Sequence, residues 1–133
     1  MMKVEHIGIA VKSLSTSVPL FTSILNTECY KTEDVESEKV KTAFFQKGET
    51  KVELLESFDQ NGVIAKFIEK KGEGIHHIAF GVENILEEMA RLEKAGFILL
   101  SKMPKKGADN KLVCFMHPKE TNGVLIELCQ NLD

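Results

Sequence analysis

The chain has 133 residues, 43% of them hydrophobic, a formal net charge of −3 and a pI near 5.8. That apolar content suits one packed domain, and the acidic balance argues against a nucleic-acid binder driven by phosphate contacts. No apolar run approaches a membrane span; a strand pattern from Lys3 is expected to leave no room for a leader peptide. Cys29, Cys114 and Cys129 are odd in number and scattered, which implies no disulfide framework, a reducing cytoplasm and thiols that act as small apolar side chains.

Val4 to Val11 reads as a strand. Ser13 to Ser17 supplies capping residues for a helix with its apolar stripe at Leu14, Val18, Phe21 and Leu25. Pro19 fits that helix only near its first turn. Glu28 to Glu38 is acidic and polar, with Cys29-Tyr30 the best short strand and the remainder a loop. Val40 to Gln46 and Thr50 to Leu55 are strands around a Lys47-Gly48-Glu49 turn. Asn61 to Lys71 is a linking helix with Ile64, Phe67 and Ile68 on its apolar side, stopped by Gly72. Ile75 to Val82 is the next strand. Asn84 and Glu87 form a capping-box-like start to a helix carrying Ile85, Met89 and Leu92. Phe97 to Leu100 reads as a strand and Met103 to Asn110 as a Pro/Gly/Lys loop. Leu112 to Met116 and Val124 to Cys129 complete the chain as strands.

The order is strand, helix, three strands, twice. A residue pattern repeats with it. His6-Ile7-Gly8-Ile9-Ala10 is answered downstream by Val52-Glu53-Leu54, and His77-Ile78-Ala79-Phe80-Gly81 by Ile126-Glu127-Leu128. Strand alternation puts His6 with Gly8 and Ala10, and His77 with Ala79 and Gly81, away from the bulky apolar residues that pack on the helices. Glu53 and Glu127 likewise point away from their apolar neighbours. The expectation is an α+β fold of two βαβββ modules in tandem, residues 1–60 and 72–133 joined by the helix at 61–71. The modules form one curved mixed sheet around a single metal site. By the same alternation His76 faces away as a poor fifth ligand, and Glu5 and Glu56 read as ordinary charges. His117, at a strand end before Pro118, is a substrate-side or structural candidate.

Two imidazoles and two carboxylates suit a divalent Zn, Mn, Co, Fe or Ni ion in a five- or six-coordinate site with open positions. Such an ion can chelate a small molecule through two oxygens and act as a Lewis acid for an enolate. A carboxylate held close by can then serve as base. Residue types alone do not choose the molecule.

The paired modules resemble the vicinal oxygen chelate superfamily. More specifically, the chain is similar over nearly its full length to the methylmalonyl-CoA epimerase family. The stretches that carry the resemblance are His6–Val11, Val52–Glu56, Ile64–Phe80 with Gly72-Glu73-Gly74-Ile75-His76-His77 at its centre, His117–Lys119 and Gly123–Gln130. It implies a glyoxalase-like fold and a divalent ion (Co, Zn, Mn or Ni) held by His6, Glu53, His77 and Glu127; some epimerases carry Gln where Glu53 stands. It also implies interconversion of (2R)- and (2S)-methylmalonyl-CoA, an acyl-CoA partner with no role for nucleic acid or membrane, and a homodimer. Glu127 is the implied acid/base, with Glu53 a further one if its metal bond is labile. His117 and Lys119 are weaker substrate-binding candidates, and Lys102, Lys105, Lys106, Lys111 and Lys119 are placed to attract CoA phosphates. The family's second acidic group belongs on the strand that here reads Val40-Lys41-Thr42-Ala43, which has no carboxylate; Glu36 and Glu38 lie just upstream. A glyoxalase I-type lyase acting on a glutathione hemithioacetal is the alternative that uses the same cage. An extradiol dioxygenase would leave Glu53 superfluous, and a metal-free binding protein would need none of the four ligands.

Overall fold

A computed structural model describes residues 2–133, which divide into two compact units, one of residues 6–76 and the other of residues 2–5 with 77–133. The elements run β1 (Lys3–Ala10), α1 (Leu14–Leu25), β2 (Lys31–Val35), β3 (Val40–Lys47), β4 (Thr50–Ser57), α2 (Val63–Lys71), β5 (Gly74–Gly81), α3 (Ile85–Lys94), β6 (Lys105–Gly107), β7 (Lys111–Met116) and β8 (Ile126–Asn131). Short 3-10 turns occupy Glu36–Glu38 and Pro118–Glu120.

In the first unit the strand order is β2-β3-β4-β1, with β3 antiparallel to both neighbours and β4 parallel to β1. The second unit repeats it as β6-β7-β8-β5, with β8 parallel to β5. Each parallel pair is the outcome of a long crossover, and each crossover carries a helix.

The apolar stripes predicted for the helices are the ones that pack. Leu14, Val18, Phe21 and Leu25 of α1 lie on Ile9, Val11, Ala43, Phe45 and Leu54. Ile85, Met89 and Leu92 of α3 lie on Phe80, Cys114, Met116 and Leu128. α3 starts as expected, with Asn84 Oδ1 accepting the Glu87 N–H at 3.1 Å, and its acidic first turn and basic last turn complement the helix dipole. The helix α2 does something the sequence does not announce. Its Ile64, Phe67 and Ile68 pack on Ala10, Val35, Val40 and Leu55. Those strand residues alternate with the ones under α1, so α2 covers one end of the opposite face of the same strands.

Several boundaries differ from the sequence reading. The strand expected at Cys29-Tyr30 is β2, at Lys31–Val35, inside the segment read as loop; its Lys-Thr-Glu-Asp-Val sequence is an edge strand blunted by charge. Phe97 to Leu100 makes only an isolated bridge, Leu99 to Met116, whereas the Lys/Gly loop contains β6. β8 begins at Ile126 rather than Val124. Pro19 sits in the second turn of α1, where the helix forgoes one backbone bond. Ser13 is the N-cap of α1 by position but makes no side-chain capping bond.

Candidate metal centre

Each unit brings its predicted histidine and glutamate into contact. His6 Nε2 lies 3.3 Å from Glu53 Oε1, and His77 Nε2 lies 3.2 Å from Glu127 Oε1. All four side chains are buried, at 5–7% exposure. The surroundings repeat as well. Glu53 stands in register between Gly8 of β1 and Phe44 of β3. Glu127 stands between Ala79 of β5 and Phe115 of β7. A residue of glycine or alanine size on one side leaves room above the carboxylate, and a phenylalanine on the other walls it in. The Phe115 edge meets the His77 ring at 5.8 Å between centroids, which fixes the imidazole plane.

The donor set and spacing fit a metal. Two donors bound at about 2.1 Å to one ion, at octahedral or tetrahedral angles, lie roughly 3.0–3.4 Å from each other. Both His–Glu separations fall inside that range. Burying carboxylates on this scale is costly unless they are paired or bind a cation.

The strands that carry the glutamates are tied to the helices by a second duplicated contact that sequence reasoning missed. Glu56, three residues beyond Glu53, accepts the N–H of Leu14 at 2.6 Å. Gln130, three residues beyond Glu127, accepts the N–H of Ile85 at 2.7 Å. Leu14 and Ile85 each stand eight residues beyond the histidine of their unit and open α1 and α3. Glu56 is therefore not an ordinary surface charge: it supplies the α1 N-terminus with the cap that Ser13 does not. A matched acceptor three residues after each ligand glutamate was the available signal.

Glu5 also departs from its reading as a solvated charge. It is buried, and its Oε2 lies 3.4 Å from the Nζ of Lys111, itself 3% exposed. Lys111 further donates to Asn131 Oδ1 and approaches Asp109 at 3.9 Å. Lys111 is thus an internal cation, not one of the lysines open to a phosphate; Lys102, Lys105, Lys106 and Lys119 are exposed. His117 caps the 3-10 turn, its Nδ1 accepting the Lys119 N–H at 3.1 Å. His76 packs edge-on against Phe67 with ring centroids 4.9 Å apart, and burial lowers its pKa to about 4. Cys114 and Cys129 are buried thiols, and burial raises the Cys114 pKa; Cys29 is half-buried beside α1. No helix among the described residues is long and apolar enough to cross a membrane.

Comparison with known proteins places the chain in a family. Residues 5–115 match the family model described as the glyoxalase/bleomycin resistance protein/dioxygenase superfamily. The chain is 40% identical over 130 residues to the uncharacterized protein YqjC of Bacillus subtilis, covering 98% of this chain and 93% of that protein. It is 39% identical to the ethylmalonyl-CoA/methylmalonyl-CoA epimerase of Cereibacter sphaeroides, covering 96% of this chain and 97% of that protein. It superposes with a TM-score of 0.94 on Streptomyces coelicolor methylmalonyl-CoA epimerase in complex with 2-nitronate-propionyl-CoA, at 31% identity and 98% coverage of both chains. The expected α+β, glyoxalase-like architecture is the one found, and the chain belongs to the glyoxalase/bleomycin resistance protein/dioxygenase superfamily.

Proposed function

We propose that this protein is a metal-dependent epimerase that interconverts (2R)- and (2S)-methylmalonyl-CoA. The observation that carries the reading is the duplicated buried pair, His6 with Glu53 and His77 with Glu127, at 3.3 and 3.2 Å. Full-length similarity to named epimerases, in sequence and in fold, supports the choice of substrate. The sequence likeness runs through both His–Glu pairs, which supports the view that the two pairs serve one centre.

In this reading His6, Glu53, His77 and Glu127 together would hold one divalent ion, with Co, Zn, Mn or Ni suited to the donor set. The bound ion supplies Lewis-acid stabilisation of negative charge developing on the substrate's oxygens. The chain's own part is proton transfer and placement. Glu127 takes the α-proton as a carboxylate: its O–H bond forms, the C–H bond breaks, and the electron pair passes into the enolate. Phe44 and Phe115, opposite the two glutamates, limit water beside the reacting carbon. The exposed Lys102, Lys105, Lys106 and Lys119 supply positive charge for the CoA phosphates.

The test is incubation of metal-loaded protein with a single epimer of methylmalonyl-CoA in deuterated water. The expected result is deuterium at the α-carbon and appearance of the other epimer. No label, with turnover of the methylglyoxal–glutathione hemithioacetal, would replace this reading with a glyoxalase I-type lyase. No turnover and no metal uptake would make the chain a small-molecule binding protein on the same fold.

A further inference from the structure

Inversion at a carbon acid needs one group to take the proton from one side and a second to return a proton from the other. We infer that the second carrier is Glu33 of the edge strand β2, an assignment that rests on the epimerase reading above.

Strand register places Glu33 on the ligand face. One row across the first unit is Ala10, Leu55, Thr42 and Glu33; the next is Gly8, Glu53, Phe44 and Lys31. Residues opposite one another in neighbouring strands project to the same face. Glu33 therefore projects to the side that carries Glu53 and His6. Its neighbour of the same parity confirms the orientation: Lys31 Nζ sits 5.5 Å from the centre of the Phe44 ring and 3.4 Å from Glu33 Oε1. The Glu33 side chain is 33% exposed, so it is neither sealed in nor adrift in solvent. Beyond its row, Val35 and Val40 lie beneath the apolar side of α2, which closes that end.

Thr42 lies between Glu33 and β4. It is fully buried, and its hydroxyl donates to the Glu33 carbonyl oxygen at 2.8 Å. A hydroxyl so engaged has no proton to transfer. Other candidates fall away by position. Glu36 and Glu38, raised from sequence, form the 3-10 turn after β2 and lie outside these rows. Glu56 faces α1. Among the described residues of β1 to β4, Glu33 is the carboxylate on this face besides Glu53. Two strand spacings of about 4.8 Å and one row of about 6.7 Å separate its Cα from that of Glu53. Side-chain reach from both sides would bring the Glu33 carboxyl to within roughly 6 Å of that of Glu53, close enough to serve a carbon held beside the Glu53 ligand atoms from about 3 Å.

The asymmetry between the units is informative. The place in the second unit that corresponds to Glu33, opposite Val113, holds Lys105. The repeated frame thus provides the His–Glu pair twice and this carboxylate once. In the step assigned to it, the Glu33 carboxyl O–H breaks and a C–H forms from the enolate electron pair, leaving the carboxylate. In the reverse direction that carboxylate takes the proton back.

Glu33→Gln tests the assignment in the metal-loaded full chain. Each epimer is supplied separately in deuterated water, and both α-deuteration and epimerisation are followed. Epimerisation should fall about 100-fold or more in both directions. Deuterium exchange should survive from the epimer whose proton Glu127 removes and be lost from the other. Glu33→Asp should restore part of the lost exchange. Asp34→Asn, on the same strand but the other face, should leave both rates at the wild-type level. Wild-type epimerisation in Glu33→Gln, or an equal fall in exchange from both epimers, overturns the assignment alone. A wild-type protein that exchanges no α-proton overturns the epimerase reading and this inference with it.

Discussion

Removing the Glu56 carboxylate should destabilise the protein far more than its position near the surface suggests. The N–H of Leu14 is one of the first-turn donors that an α-helix leaves without an internal partner. Ser13 makes no capping bond, so the Glu56 bond at 2.6 Å, reaching across 42 residues of sequence, takes its place. Loss of a helix cap costs about 1 kcal/mol, and loss of an anion at the helix N-terminus adds about 0.3–1 kcal/mol. Leaving a part-buried N–H unmet brings the total for Glu56→Ala to about 2–3 kcal/mol. For a chain of this size that is a fall in Tm of roughly 6–12 °C. Glu56→Gln keeps an acceptor and loses the charge, so about 1 kcal/mol is expected. Gln130→Ala should also cost only about 1 kcal/mol, because Asn84 already caps α3. Urea unfolding of the three variants checks the order Glu56→Ala, then Glu56→Gln and Gln130→Ala. Equal stabilities for Glu56→Ala and Glu56→Gln would refute the reasoning, since the difference is the bond itself.

Other outcomes follow from the same geometry. Lys111→Met removes the buried cation beside the Glu5 carboxylate and should cost about 3–5 kcal/mol; adding Glu5→Leu should recover much of it, and chemical denaturation of both variants reads the coupling. His76 titrates near pH 4 in the folded chain against 6.5 for an unburied imidazole, so the unfolded state takes up its proton first. The stability linked to His76 is complete above pH 6.5 and is lost as pH falls toward 4, by an amount on the order of 3 kcal/mol. His76→Phe should flatten that part of the stability profile; an unchanged slope would show that the linkage lies elsewhere.

Much of this was legible in the chain because it is stated twice. The strand-helix-three-strand order and the His6…Glu53 and His77…Glu127 spacing each recur, and a recurring pattern is hard to produce by accident. Alternation within a strand then gave the direction of all four side chains. Features that recur only in three dimensions were not legible. The contacts of Glu56 with Leu14 and Gln130 with Ile85 depend on which strand lies under which helix end. Glu5 reads as a charge on a polar terminus until Lys111 is found beside it. β2 was misplaced because its Lys-Thr-Glu-Asp-Val sequence has the composition of a loop; backbone pairing with β3, not side-chain burial, makes it a strand. Phe97 to Leu100 has the opposite character, apolar and strand-like but held by a single bridge. Glu33 was hidden for the same reason as β2, since a residue in a supposed loop has no defined face.

Whether the two His–Glu pairs serve a single cation is tested most directly by metal stoichiometry. Protein stripped with chelator, reloaded with Co or Zn and freed of excess should carry one ion per chain by elemental analysis. On the one-centre proposal, His6→Ala and His77→Ala should each abolish stoichiometric uptake. Two ions per chain, or a His77→Ala variant that still takes up its ion as tightly as the wild type, would contradict the account.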